Sequence, residues 1–451
     1  MKTTRAVILA AGEGTRRKSS LPKVLHPILG KPMLWYPVQA ARRATQAPPV
    51  LVLGYQAEQV RAALDGDLEV AIQSERLGTG HAVMQAEALL RGAADQVLVI
   101  NGDLPLLTAE TLSGLVTAQK NNPGPLTMLT VLADSARGFG RILRSGGGQV
   151  LGIIEEAQAT PEQLAIRELN VGVYCFAADW LWEALRQILL SPKGEYYLTD
   201  LVGIAVNQKL NVQALTISSQ REVIGINTRA HLAEAAGALQ QRINQEWMLA
   251  GVTLIDPAAT YIEPEVTIGQ ETVIWPNTHL QGATVIGEGC EIGPNSVVRS
   301  SRIGNGCTVF ASIVESAVLE DHVDIGPFAH LRKGAYLAEG VHMGNFGEVK
   351  NSYLGPGSKM GHFSYIGDAA IGSDVNIGAG TITCNYDGER KHKTEIEDGV
   401  FLGSDTMLVA PVKLGRGART GAGAVVTKDV PADSLAVGVP AKVIRKIEKS
   451  D

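Results

Sequence analysis

"LEDHVDIGPFAHLRKGAYLAEGVHMGNFGEVK", residues 319–350, carries a large apolar side chain at every sixth position: Leu319, Ile325, Leu331, Leu337, Met343 and Val349. A helix repeats near 3.6 residues and a flat strand at 2, so neither sustains a period of six. A period of six predicts a chain that stacks each apolar side chain on a counterpart one coil away, a parallel β-helix. The pattern extends outward in both directions. Ile268, Ile274, Leu280, Ile286, Ile292 and Val298 precede it, while Leu354, Met360 and Ile366, then Leu402, Leu408 and Leu414, follow. Gly, Asn and Asp cluster just after these positions, as turn formers do. The charged run "GERKHKTEIEDG" (Gly388 to Gly399) breaks the repeat and reads as an insertion.

Before the repeats, the grammar is different. From Arg5 to about Ile226, β-rich runs such as "RAVILA", "VLVL" and "QVLVI" alternate with helical patterns such as "PMLWYPVQAARRA" and "TAETLSGLVTAQ". That alternation predicts a parallel sheet covered by helices, with ligands beyond the carboxyl ends of the strands. Between the halves, Leu232, Ala236, Leu239, Ile243 and Trp247 recur at helical spacing. A connecting helix is expected there, capped near Asn227 or Thr228 and stopped by Gly251.

The whole chain has 451 residues, 45% of them hydrophobic, with a formal net charge of −6. Nothing global therefore favours nucleic acid or an anionic membrane, and an anionic ligand must be met by local cations. Four scattered cysteines without a CxxC and a short N-terminal apolar stretch predict a cytoplasmic protein with reduced thiols. Local cations do follow the first strand. "LAAGEGTR" (residues 9–16) places Gly12 and Gly14 at a strand end, with Arg16, Arg17, Lys18 and Lys23 close behind. The loop lacks the Gly-Lys-Ser/Thr ending of a P-loop and the third glycine of a dinucleotide fingerprint. Exposed backbone N–H groups followed by cations still point to a phosphate, a solvated basic turn being the bland alternative.

"LAAGEGTR", "LPK" (21–23), "QSERLGTGHAV" (73–83), "NGD" (101–103), "FGRI" (139–142), "IIEE" (153–156), "ELNVGVY" (168–174) and "GINT" (225–228) together resemble a sugar-phosphate nucleotidyltransferase. With the six-residue repeats, "GHFSYIGD" and "NIGAGTITCNYDG", residues 5 to about 440 resemble a bifunctional bacterial family. Its members join an N-acetylglucosamine-1-phosphate uridylyltransferase to a glucosamine-1-phosphate N-acetyltransferase. The resemblance implies a Rossmann-like α/β domain over 1–227, a linker helix over 228–250 and a left-handed parallel β-helix over 251–451. It implies that Leu9, Ala10, Ala11, Gly12, Gln73, Gly78 and Thr79 hold uracil and ribose. Asn101 and Gly102 complete the nucleotide contacts, and Gly140, Glu155 and Asn170 bind the sugar. Lys23 and Arg16 would neutralise phosphate, and Asp103 and Asn227 would hold Mg²⁺. Hard oxygen ligands, few of them from protein, suit Mg²⁺ beside a triphosphate. Asn101 and Arg17 depart from the family's usual Tyr and Met.

In the repeats, the resemblance implies that Arg332 and Lys350 grip the sugar phosphate and that Tyr365 and Asn376 bind the sugar. His362 would be the base, and Ala379, Asn385, Tyr386, Ser404 and Ala422 would line an acetyl-CoA groove. A histidine suits proton transfer near neutral pH. Glu348 is a candidate partner for His362. The resemblance further implies a homotrimer with acetyl sites between subunits, small-molecule substrates only, and UTP and acetyl-CoA as co-substrates. Its product, UDP-N-acetylglucosamine, supplies peptidoglycan and outer-membrane glycolipid synthesis.

Other readings remain open at this point. The β-helix could only oligomerise or regulate a nucleotidyltransferase of other specificity. His322, His330, His342 and His362 could mount Zn²⁺, although the spacing of twelve from His330 to His342 argues against direct stacking. Cys384 reads as a small buried residue rather than a nucleophile. "KVIRKIEKSD" (442–451) reads as a charged, mobile tail.

Overall fold

A computed structural model describes residues 3–12, 21–54, 56–64, 66–135 and 138–446. Gly14, Arg16, Arg17 and Lys18 lie outside the described residues. The chain divides into two compact units, Met1–Leu239 and Gln240–Asp451.

The first unit is built on one nine-stranded sheet. Its elements are β1 (Thr4–Leu9), α1 (Trp35–Thr45), β2 (Val50–Leu53), β3 (Glu69–Ile72), α2 (Gly78–Met84), β4 (Gln96–Asn101), α3 (Ala109–Asn121), β5 (Leu126–Leu132), β6 (Arg141–Arg144), β7 (Val150–Ile154), β8 (Glu168–Ala177), α4 (Ala178–Leu185), α5 (Asp200–Asn207) and β9 (Val212–Ile217). Strand order is β9-β5-β8-β4-β1-β2-β3, with the β6–β7 hairpin branching from β8. The central strands are parallel, but β8 runs antiparallel to both β4 and β5. The wholly parallel sheet predicted from alternation is thus corrected to a mixed one.

The apolar runs of β1, β2 and β4 serve both faces of the sheet at once, because alternate side chains point to opposite sides. Ala6, Ile8, Leu51, Leu98 and Ile100 pack on one face with α1 and α3; Val7, Val52, Val97 and Val99 pack on the other with α2, α4 and α5. Trp182 of α4 is fully buried in the second layer. Each fully buried Val, Leu or Ile among them contributes about 1.5–3 kcal/mol when removed from water.

A helix, α6 (Arg229–Leu249), follows. Thr228 Oγ1 accepts from His231 N at 3.1 Å, making Thr228 the cap, and Gly251 stops the helix at φ +97°. Gln240 and the buried Asn244 reach the carbonyls of Pro257 and Thr260, which ties the helix to the first coil of the second unit.

The second unit is a left-handed parallel β-helix with three sheets of twelve, ten and nine strands. In one coil the strands Asp324–Ile325, His330–Leu331 and Tyr336–Leu337 form three sides, and the next coil stacks Met343 on Ile325, Val349 on Leu331 and Leu354 on Leu337. All six of these side chains are fully buried.

The spacing is not uniformly six. Steps of five occur at Val298–Ile303, Val309–Val314, Val314–Leu319, Val349–Leu354 and Ile366–Ile371. In each, the second residue (Ser300, Ala311, Ser316, Asn351 or Asp368) adopts φ of +45° to +51°. A left-handed residue turns the corner one residue earlier. In many six-residue steps the third residue takes that role instead, as in Asn277, Asn295, His322, Phe328 and Phe346. This is why Gly, Asn and Asp gather there.

Two boundaries differ from expectation. The insertion occupies residues 385–393, beginning before Gly388, and the coil resumes with Thr394–Ile396 beside Ala369–Ile371. Within the tail, Lys442–Lys446 forms a strand that pairs antiparallel with Ser434–Val437.

Candidate functional site

In the first unit, β1 and β4 end side by side, with Leu9 in register with Asn101. The loops that follow them open at the carboxyl ends of the strands, where Gly102 N donates to Leu9 O at 2.9 Å. A cavity of about 570 Å³ lies there. Leu9, Ala10, Ala11, Gly12, Lys23, Gln73, Gly78, Thr79, Asn101, Asp103, Gly140, Glu155, Asn170 and Asn227 all line it. Gly102 supports these strand ends instead of lining the cavity, since a Cβ there would approach Leu9 O to 3.0 Å. Arg16 falls outside the described residues.

The polar heart of this cavity is Lys23, whose ammonium reaches Asp103 Oδ2 at 2.5 Å and Asn227 Oδ1 at 2.9 Å. Both oxygens, one from a carboxylate and one from an amide, converge on a single point. A hard divalent cation is suited to that donor pair. Asn101, the family departure, donates Nδ2 to Gly172 O at 3.2 Å and so braces the irregular middle of β8. Asn170 in that same segment bonds Tyr174 and the Gly172 amide.

The β6–β7 hairpin brings Gly140 and, just beyond it, Glu155. It is anchored by buried Arg141, which donates 2.7 Å bonds to Phe139 O and Glu156 Oε2. Burial raises the Glu155 carboxyl pKa, against a 3.3 Å bond from Thr199 and with the charge of Asp200 adding to the rise. The segment "EYYLTD" (195–200) was missed in sequence, yet Glu195, Tyr197 and Thr199 line the cavity, as do Arg76 and Phe139. Aromatic residues in an otherwise polar loop were its only signal.

In the second unit, the outward residues fall into two groups along the ten-stranded sheet. Arg332 and Lys350 stand at its exit edge, each one residue beyond an inward side chain. Arg332 pairs with Glu348 at 2.8 Å, so Glu348, expected beside His362, serves the arginine instead. Lys391, from the insertion, was missed by sequence reading. Its contact and charge, with Arg332 adding, lower the Lys350 pKa from the ordinary lysine value. Three cations thus gather at this edge. Asn385 is buried beside them and donates Nδ2 to Asp368 Oδ2 at 2.6 Å. Tyr386 is exposed and donates to Gly388 O. Tyr365 Oη lies over Gly367, where any Cβ would collide with it.

At the entry corner of the same sheet, His362, Ala379, Ser404 and Ala422 each stand two residues after an inward side chain, Met360, Ile377, Leu402 and Thr420. They form one column on four successive coils, joined by bonds such as Asp405 N to Ala379 O and Gly423 N to Ser404 O. Asn376 instead faces outward from the twelve-stranded sheet, between Lys359 and Phe401. The structure therefore gathers the predicted residues into two margins of one face and leaves Asn376 on another.

Two of the other histidines have carboxylate partners on different faces: His330 meets Glu315 at 3.2 Å and His342 meets Asp324 at 2.9 Å. Cys384 is half-buried rather than buried, and burial raises its thiol pKa. A thiol held protonated is a poor nucleophile.

Residues 6–198 match the MobA-like NTP transferase domain, residues 265–300 the bacterial transferase hexapeptide (six repeats), and residues 393–428 the hexapeptide repeat of succinyl-transferase. Near full-length relatives carry the name bifunctional protein GlmU. That of Pelobacter propionicus is 47% identical over 450 residues, covering 99% of this chain and 98% of its own. That of Heliobacterium modesticaldum is 48% identical over 438 residues, covering 97% and 96%. That of Shouchella clausii is 44% identical over 433 residues, covering 96% and 95%. Among the described residues, no helix is long and apolar enough to cross a membrane. With a nucleotidyltransferase match in one unit, hexapeptide matches in the other and relatives spanning both, the chain belongs to the bifunctional GlmU family and is an acetyltransferase and uridylyltransferase in one polypeptide.

Proposed function

We propose that residues 1–227 transfer UMP from UTP to N-acetylglucosamine-1-phosphate, and that residues 251–451 first make that acceptor from glucosamine-1-phosphate and acetyl-CoA, the two being joined through 228–250. The observation that carries the first half is the convergence of Asp103 and Asn227 on Lys23 inside a cavity that also holds Gln73, Gly140, Glu155 and Asn170. Gln73, Gly78 and Thr79 with the Leu9–Gly12 loop receive uracil and ribose, while Gly140, Glu155 and Asn170 receive the sugar. Attack of the sugar phosphate on the α-phosphorus brings two anions together, so charge neutralisation matters more than a base. Lys23 and Arg16 supply part of that charge. Asp103 and Asn227 would hold Mg²⁺, which when bound withdraws charge from the triphosphate oxygens.

In the repeat unit, Arg332 and Lys350, joined by Lys391, bind the acceptor phosphate, and Tyr365 and Asn376 bind its sugar. His362 takes the proton from the attacking amine. The corner column of Ala379, Ser404 and Ala422, with Asn385 and Tyr386, receives acetyl-CoA. The separation of these residues between two margins and a second face favours a site completed by a neighbouring copy, in a cytoplasmic homotrimer.

The test is release of CoA thiol from acetyl-CoA and glucosamine-1-phosphate, with glucosamine-6-phosphate as control. Release with the 1-phosphate alone supports the assignment. No release from the folded protein reduces the repeat unit to a scaffold.

A further inference from the structure

Gln73 is nearly buried, with 4% of its surface exposed, yet lines the cavity. Its backbone N–H is taken by Leu53 O at 2.7 Å, which fixes where the side chain starts. Its side-chain nitrogen Nε2 lies 3.1 Å from Gly78 O and 3.1 Å from His81 Nδ1. Gly78 O can only accept, so Nε2 is the amide nitrogen and both of its hydrogens are engaged inside the protein. What Gln73 has left to offer a ligand is the lone pairs of Oε1.

His81 stands on α2 one turn after Gly78 and is not among the cavity-lining residues. Its other ring nitrogen, Nε2, meets Gln85 Nε2 at 3.1 Å, and Gln85 also donates to His81 O at 3.0 Å. A neutral imidazole accepts at only one nitrogen, so the two amides compete for it. Gln85 is partly exposed and can turn to water; Gln73 is buried and cannot. The ring therefore accepts from Gln73 through Nδ1.

We propose that His81 is a positioning residue for base selection: by holding the Gln73 amide nitrogen inward, it makes Gln73 a pure acceptor that takes a pyrimidine with an N3–H and rejects one with an N3 lone pair. Uracil has that N3–H, whereas cytosine presents a lone pair at N3. An acceptor facing an acceptor leaves both unpaired in a dry site, and polar sites discriminate strongly for that reason. The inference rests on the assignment of Gln73 to the base.

The experiment measures kcat/KM for UTP and for CTP in wild type, His81→Leu, His81→Asn and Gln73→Ala, with CoA release by the repeat unit and thermal melting as controls. His81→Leu leaves Gly78 O as the one remaining partner of the amide nitrogen, so the second amide hydrogen is freed and can swing toward the cavity. The UTP-to-CTP ratio is expected to fall at least about tenfold, with kcat at saturating UTP changing less than about twofold. His81→Asn, whose side-chain oxygen can replace Nδ1 as acceptor, is expected to restore most of the ratio. An unchanged ratio in folded His81→Leu, with Gln73→Ala impaired, overturns the role of His81. If Gln73→Ala also leaves the UTP KM and the ratio unchanged, the base assignment of Gln73 is what fails.

Discussion

The two candidate sites are built on opposite plans. In the nucleotidyltransferase unit, loops at the carboxyl ends of the sheet's strands surround a cavity whose candidate side chains are largely withdrawn from water, as in Gln73 and Asn170. In the repeat unit, every coil must send its apolar side chains inward to make a core, so chemistry is confined to the outward positions and corners. There His362, Phe363, Ser404 and Tyr386 are all exposed. One unit encloses its reaction within a single chain, while the other displays its groups on a convex surface. Water exclusion in the second must then come from a further surface, which is the physical case for a site shared between copies.

The sharpest way to break this comparison is to disable one site at a time. Asp103→Ala is expected to lower pyrophosphate release at least about a hundredfold, since it removes a hard ligand and half of the Lys23 anchor. CoA release should stay within about twofold. His362→Ala should do the reverse, lowering CoA release by about a hundredfold or more through loss of the base. Loss of both activities in either variant would mean that the units are not independent.

How much of this plan was readable beforehand depends on what enforces it. The period of six was legible because stacking leaves no choice: Ile325, Leu331 and Leu337 must each meet a counterpart one coil away. The corners of five were not, because they rest on single residues such as Ala311 and Asn351 that accept φ near +45° for tertiary reasons. The strand Lys442–Lys446 was hidden because its pairing uses backbone groups, which any polar sequence can supply. Contiguous motifs revealed most of the cavity lining, but Tyr197 and Thr199, like Lys391 in the repeat unit, arrive from segments with no fixed spacing to those motifs. Nor could spacing show that Glu348 pairs with Arg332.

A second test concerns how tightly the enclosed site is built. Gly78 sits at φ +94°, and a Cβ there would approach Tyr196 O to 2.6 Å. Gly78→Ala is therefore expected to destabilise the first unit by about 2 kcal/mol and to cut uridylyl transfer more than tenfold. The melting of the repeat unit should be unaffected. A first-unit transition unshifted by the substitution, followed by calorimetry, would count against the strain at this turn.

The displayed site has a buried support of its own. Asp368 accepts from Asn351 Nδ2 and Asn385 Nδ2, both at 2.6 Å. Asp368→Asn puts an NH₂ group against one of those amides, at a cost of about 1–3 kcal/mol for an unpaired buried donor. Acetyl transfer should fall about tenfold as Asn385 loses its orientation, with uridylyl transfer unchanged. Unaltered acetyl kinetics would show that Asn385 needs no such hold.

The smallest effect separates electrostatics from geometry at the exit edge. Lys391, followed by Arg332, holds the Lys350 pKa below its ordinary 10.5. A lysine binds phosphate as the ammonium, so the charge is present below its pKa in the folded protein and is lost as pH rises through that value. In wild type the KM for glucosamine-1-phosphate should therefore begin to climb at a lower pH than an isolated lysine would give. Lys391→Ala has two separable consequences. At pH values below the Lys350 pKa of either protein, KM rises severalfold because one cation is missing, and it becomes less sensitive to salt. At alkaline pH, the climb moves to higher pH because the repulsion on Lys350 has gone. Initial rates between pH 7 and 10 at constant ionic strength distinguish these effects. Profiles that differ only by a constant factor would leave Lys391 as a phosphate contact without influence on Lys350. A climb displaced upward would show that the insertion sets the charge state of the edge it covers.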